Sequence, residues 1–326
     1  MKTKKERYTL SEAEIKIAKE IARDNHSLFV LRENLSIKPN LLTHYLKMLQ
    51  EKGLIKIEKT SCETEKNFKN SKKSVFFQDT KHAVLLKELL NRYSHIKWEG
   101  ILSGLRIDLL FQLLTDSGNI SAVASPVTIW RYLKQFMEIG IITSGDKYCQ
   151  INERFSLLKE FLDEYQRFIV EKIISSFSSQ AVTLWQKDFE FLIRVPQTKE
   201  VYQRGFTKTA TSRLADYGIQ LVSDFDVYFY SKKPKNIGLE DVLLHTLLIE
   251  KGNVRYTTYS LLLLKRQTKN IDKDYLLNEA VWYDLSSQIN AMFEFLRTKG
   301  VRSLSGLPTW NEFVEKMEEY KEETIA

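Results

Sequence analysis

The chain has 326 residues, of which 43% are hydrophobic and 28% charged, with a formal net charge of +7. This is the composition of folded globular proteins, which excludes a disordered chain, and the length accommodates two or three domains with their own cores. No apolar run approaches the roughly 20 residues of a membrane-spanning helix, the first residues (Met-Lys-Thr-Lys-Lys) hold no apolar signal core, and Cys62 and Cys149 form no CxxC pair.

The expectation from these totals is a cytoplasmic protein with no membrane partner, no metal and no cofactor. Residues 1–80 carry 17 Lys and Arg against 11 Asp and Glu. Most of the positive excess therefore lies in the first quarter of the chain, as expected for a domain that meets phosphate, although an acidic protein would be attracted too.

Ser11 to Asn25 is an amphipathic helix with Ile15, Ala18, Ile21 and Ala22 on one side, and Ser11 with Glu14 forms a capping box. Ser27 to Leu35 is a shorter second helix. In the next stretch, residues 36–58, Ile37, Leu42, Leu46 and Leu49 recur at helical spacing. Pro39 suits the first helical position, Asn40 can cap, and Gly53 suits the helix end. Lys38, Asn40, Thr43, His44 and Lys47 remain for the other face, with no acid among them. Apolar support behind and donors and cations in front are what insertion into a DNA major groove requires. A strand follows at 54–60. Ser61 to Lys73, with Lys66, Lys69, Lys72 and Lys73, is then a loop leading to a second strand at 74–78. Such a loop is either a wing that touches phosphate or a solvated hairpin tip.

The helix–glycine–strand stretch resembles the recognition helix and first wing strand of MarR- and ArsR-like winged-helix transcription regulators. The residues carrying the likeness are Leu42, Tyr45-Leu46-Lys47, Leu49 and Glu51-Lys52-Gly53-Leu54-Ile55, and it covers about residues 10–80. It implies a winged helix that binds double-stranded DNA, although members of this fold also bind protein.

Lys81 to Tyr93 is a helix with Val84, Leu85, Leu89 and Leu90 apolar, and Gly104 to Leu114 another, with Leu105, Leu109 and Leu113 inward. Ser125-Pro126 then opens a second recognition-type helix whose exposed positions are Val127, Thr128, Arg131 and Lys134. Aligning Tyr132-Leu133-Lys134 with Tyr45-Leu46-Lys47 sets Gly140 opposite Gly53, and residues 141–151 form a short hairpin wing. The segment before Ser125 is short for a full helix, so this unit departs from the pattern, and its face suits DNA contact and packing equally. Glu153 to Phe177 is a long helical pattern, a connector or a dimerisation helix.

Residues 181–195 are strand-like at their ends, Thr207 to Tyr217 is helical, and Ile219 to Tyr230 alternates as strand, turn, strand. Leu239–Glu250, Tyr256–Lys269, Asp272–Lys299 and Thr309–Lys321 are helical, with no phosphate-binding glycine loop. Phe191-Leu192, Thr207 to Ile219, Val227 to Ser231 and Glu240 to His245 resemble the C-terminal domain of AbiEi-type antitoxins and related archaeal helix-turn-helix regulators. That resemblance implies a repressor of its own promoter. Asp224 and Asp226, alternating on a strand, could hold Mg²⁺ for nucleotidyl transfer, but the Gly-Ser pair of that superfamily is missing and a strand turn accounts for them too. Asp241 and His245 are an i, i+4 pair, more readily a hydrogen-bonded helix pair than metal ligands.

The expected architecture is α+β and predominantly α: tandem winged-helix units, then a mostly helical C-terminal domain with a small β-sheet. The boundaries are 1–95 for the DNA-binding winged helix, 96–152 for the second winged-helix-like unit, 153–178 for the connecting or dimerisation helix and 179–326 for a regulatory domain. The expected function is sequence-specific DNA-binding transcription regulation in an archaeal or bacterial cell, antitoxin-like and without catalysis. DNA contacts fall to Lys38, Asn40, Thr43, His44, Lys47, Lys66, Lys69, Lys72, Lys73, Thr128, Arg131 and Lys134. A homodimer and a protein partner for the C-terminal domain complete the expected partners. The alternatives are a nucleotidyltransferase-like enzyme using Asp224 and Asp226, or a winged-helix scaffold that binds protein.

Overall fold

A computed structural model describes residues 8–23, 27–60, 72–114, 124–144, 149–197, 203–231, 235–301 and 306–322. The chain divides into two compact units, residues 1–173 and 174–326. Its architecture is α+β and predominantly α, with small antiparallel sheets. Among the described residues no helix is long and apolar enough to cross a membrane.

The first unit opens with three helices, α1 (Glu12–Ala22), α2 (Leu28–Leu35) and α3 (Pro39–Glu51), followed by strands β1 (Ile55–Thr60) and β2 (Lys72–Phe77). The two strands pair antiparallel from Ile55 opposite Phe77 to Thr60 opposite Lys72, and Ser27 bridges to Ser74 on the outer side. The order is three helices followed by a two-stranded hairpin. The Ser11–Glu14 capping box is present as expected. Helix α3 ends in a Schellman turn: Gly53 at φ +65° donates to the Gln50 carbonyl, and Leu54 to that of Leu49. At its start the sequence reading is corrected. The N-cap is Lys38, without a side-chain cap, and Asn40 lies inside the first turn, where its amide is not used for capping.

After α4 (Lys81–Arg92) and a 3₁₀ turn at Trp98–Gly100, the order partly repeats. Helices α5 (Leu105–Gln112) and α6 (Pro126–Ile139) precede the hairpin β3 (Ile142–Ser144) and β4 (Cys149–Ile151). Ser125 caps α6 by accepting from the Thr128 amide. One inward assignment fails: Leu105 is exposed, as is the apolar Val84 of α4, and Leu86, Ile107, Leu110 and Phe111 fill the interior. Helix α7 (Ser156–Phe177) follows. Over residues 157–173 its apolar side (Leu158, Phe161, Leu162, Tyr165, Ile169) is buried, and the Tyr165 hydroxyl donates to the Tyr8 carbonyl at 2.6 Å. That stretch is part of the first unit's core, and the helix runs on past residue 173 into the second unit.

The second unit holds a four-stranded antiparallel sheet in the order β5 (Val182–Lys187), β6 (Glu190–Pro196), β8 (Phe225–Tyr230), β7 (Phe206–Lys208). Asp188, at φ +54°, makes the two-residue turn of the first hairpin. Helix α8 (Leu239–Leu248) is buried from Glu240 to Leu248, and with Leu192, Val227 and Phe229 of the sheet and Leu261 to Leu264 of α9 (Val254–Arg266) it forms one core. Three expectations are corrected here. Thr207 and Lys208 lie on β7, and only Ala210–Tyr217 is helical, as 3₁₀. Residues 219–224 form no strand. The helix expected over 272–299 is two, α10 (Lys273–Trp282) and α11 (Ser286–Thr298). The break is a Schellman turn built on Asp284 at φ +57°, with Leu285 donating to the Ala280 carbonyl at 2.8 Å. An aspartate takes the place of the usual glycine, so the stop signal was missing. Helix α12 (Trp310–Glu322) closes the chain.

Candidate nucleic-acid interface

Helix α3 presents the face that the sequence assigns to it. Leu42, Leu46 and Leu49 are at most 4% exposed and turned to the interior, where α3 meets α1. Lys38, Asn40, Thr43, His44 and Lys47 are all exposed. No hydrogen bond within the described residues engages the side chains of Lys38, Asn40, His44 or Lys47. The Thr43 hydroxyl donates to the Pro39 carbonyl at 3.0 Å, so what it offers outward is its lone pairs and its methyl group. Leu41, 48% exposed, borders the same face and escaped the sequence reading because it breaks the polar pattern. An apolar group there suits a thymine methyl.

What holds this helix from behind is charged. The Lys52 ammonium, at the C-cap of α3, pairs with the Glu14 carboxylate of α1, and both side chains are nearly inaccessible, 2% and 3% exposed. Glu14 also accepts from the Ser11 amide at 2.7 Å, so a single carboxylate caps α1 and neutralises the end of α3. Burial pulls the Lys52 ammonium below its ordinary pKa, against the attraction of Glu14. His82 on α4 reaches the Lys52 carbonyl (3.1 Å) and lies 4.4 Å from the Phe168 ring. Thr80 donates to the Gly53 carbonyl at 2.9 Å. A Cβ on Gly53 would stand 2.8 Å from Phe168. We expect Gly53→Ala to cost about 1–3 kcal/mol, from positive φ and that overlap together. A denaturation midpoint equal to that of the unchanged protein would refute this account of the turn.

Lys66 and Lys69 lie outside the described residues. Lys72 and Lys73 belong to β2 and not to the loop, since pairing extends to Thr60 opposite Lys72 and Lys59 opposite Lys73. Lys73 is exposed. Lys56 on β1 is 3.3 Å from both Glu58 and Asp79.

Helix α6 differs from α3. Its exposed side carries Val127 (79%) and Trp130 (62%) beside Arg131 and Lys134, with Lys134 Nζ 5.5 Å from the Trp130 ring centre. Thr128 is tied to its own cap, its hydroxyl accepting from Ser125 at 3.0 Å, and is only half-exposed. Arg131 lies over the Tyr132 ring at 5.3 Å, and Arg106 of α5 over the same ring at 4.9 Å. Arg106 and Tyr132 were not singled out in the sequence, because nothing local reveals that α5 and α6 bring them together.

In the second unit the Asp226 carboxylate is buried and pairs with Lys208 at 2.8 Å, while Asp224 is exposed. Asp241 and His245 do not engage each other. Asp241 accepts from Lys235 (2.8 Å), the Gly238 amide (3.0 Å) and the Tyr275 hydroxyl (3.2 Å). His245 stands between Thr209 (2.8 Å) and Tyr283 (3.0 Å), stacked 4.4 Å from Phe229, and burial holds its pKa well below the usual histidine value. Among the described residues no group of three or more His, Cys, Asp or Glu is placed to hold a metal.

Residues 203–322 match the family model described as HVO_2833_C, C-terminal. The match lies within the second unit and does not reach α3 or α6. No curated protein and no solved structure matches the chain significantly. The MarR, ArsR and AbiEi resemblances have no counterpart among these matches.

Proposed function

We propose that this protein is a sequence-specific DNA-binding transcription regulator whose α3 enters the major groove. The observation that supports the reading is the outer face of α3, where Lys38, Asn40, Thr43, His44 and Lys47 are exposed on a helix fixed from behind. In this reading Asn40 and His44 approach base edges, Thr43 acts as an acceptor, and Lys38 and Lys47 meet phosphates. Lys73, with the wing, lies beyond the groove. The second unit then serves regulation or a protein partner, as in an antitoxin-like repressor.

The test is a salt titration of duplex binding after selection of a preferred sequence from random oligonucleotides. Lys47→Ala is expected to weaken binding to every sequence and to lower the slope of log K against log salt by about one unit. Asn40→Ala is expected to relax preference at one position, by about 1–3 kcal/mol. An unchanged salt slope in Lys47→Ala means that α3 does not face DNA.

A further inference from the structure

The junction of α5 and α6 holds an open pocket of about 460 Å³ lined by Arg106, Arg131, Tyr132, Lys134, Gln135 and Glu138. We propose that this pocket is a clamp for one phosphoryl group, with Arg106, Arg131 and Lys134 as its donors.

Three cations line the pocket against one acid, Glu138, whose carboxylate is 4.0 Å from Lys134, at the limit of an ion pair. The two guanidiniums are held by the Tyr132 ring, with their carbons 4.9 and 5.3 Å from its centre. A ring so engaged orders the two forks and reduces the entropy lost when an anion binds. The Nε of Arg106 is buried and has no hydrogen-bond partner. Among the described residues its ion pair is with Glu12 at 3.7 Å, and the Glu12 side chain is 60% exposed, so solvent weakens that attraction. Gln135 is occupied, donating to the Gly100 carbonyl at 3.2 Å. With the buried Arg106 Nε unpartnered and the Arg131 and Lys134 side chains open to solvent, the cationic N–H groups lining the pocket match the several oxygens of a phosphoryl group. Base stacking on Tyr132 is disfavoured by the guanidiniums that already lie over it.

The phosphoryl group has two sources, the DNA backbone or a phosphorylated small molecule. The first rests on the DNA-binding reading above; the second does not. The experiment uses the full chain as wild type, Arg106→Gln, Arg131→Gln and Lys47→Ala. One arm measures the salt dependence of duplex binding. The other follows thermal melting with glycerol 3-phosphate against chloride at constant ionic strength. If the clamp holds backbone, Arg106→Gln and Arg131→Gln each lower the salt slope by about one unit. If it takes a small molecule, glycerol 3-phosphate raises the melting temperature of the wild type and of Lys47→Ala but not of the two arginine variants. Arg131 is exposed, so its variant guards against a folding defect at the half-buried Arg106. Arginine variants that match the wild type in both arms overturn the clamp. A Lys47→Ala effect in that same experiment leaves the DNA reading standing, and an arginine effect without a Lys47 effect removes α3 from DNA while keeping the clamp.

Discussion

Replacing Glu14 by alanine is expected to destabilise the first unit by about 3–5 kcal/mol. The residue has two duties. It caps α1 through the Ser11 amide, and it neutralises Lys52 where both side chains are almost inaccessible. Without it, Lys52 must either stay charged in the interior or give up its proton, and both cost free energy. The double variant Glu14→Leu, Lys52→Met removes both charges and is expected to recover most of the loss, because the cost lies in the unpaired ion more than in the missing pair. Denaturant midpoints of the two variants test this. A single variant less than about 1 kcal/mol below the unchanged protein would show that the pair carries little. On the DNA-binding reading proposed above, Glu14→Ala is also expected to lower DNA affinity without touching the exposed face, because Lys52 terminates α3.

Acidification is expected to weaken the second unit, by about 1.4 kcal/mol per pH unit below roughly 6.5. His245 is fully buried, and burial, helped by the positive charge of Lys235, keeps its imidazole neutral in the folded state. The unfolded chain takes up that proton near the ordinary histidine value, so between the lowered folded pKa and about 6.5 it binds more protons than the native one. The contribution of His245 is therefore complete above that window and is lost as the pH falls through it. His82 in the first unit is shifted in the same direction, again by burial, partly opposed by its hydrogen bond to the Lys52 carbonyl. Melting curves between pH 7.5 and 5.5 measure the slope. His245→Gln should flatten it for the transition of the second unit, and an unchanged slope in that variant would place the acid sensitivity elsewhere.

Much of the first unit follows from local signals. Leu42, Leu46 and Leu49 at helical spacing, Pro39 at the first helical position and Gly53 after the last fix α3 and its orientation without help from the rest of the chain. The exposed positions follow by subtraction, so the candidate face was legible before any coordinates. The same holds for Ser125-Pro126 and Gly140 around α6. Strand limits were less legible. Lys72 and Lys73 look like loop residues by composition, and only the pairing with Thr60 and Lys59 puts them on β2.

The amino-acid sequence by itself determined the order of helices and strands in the first unit and the polar face of α3, because both depend on residues within a few turns of one another. Tertiary structure alone decided which charges are paired and which converge. Glu14 meets Lys52, and Arg106 of α5 meets the Tyr132 ring of α6, across separations that no local period encodes. Asp284 ending α10 belongs with these, since the turn it makes is closed by the buried Leu285, whose amide reaches back to the Ala280 carbonyl. Electrostatic partners act through space, and the backbone decides how near they come.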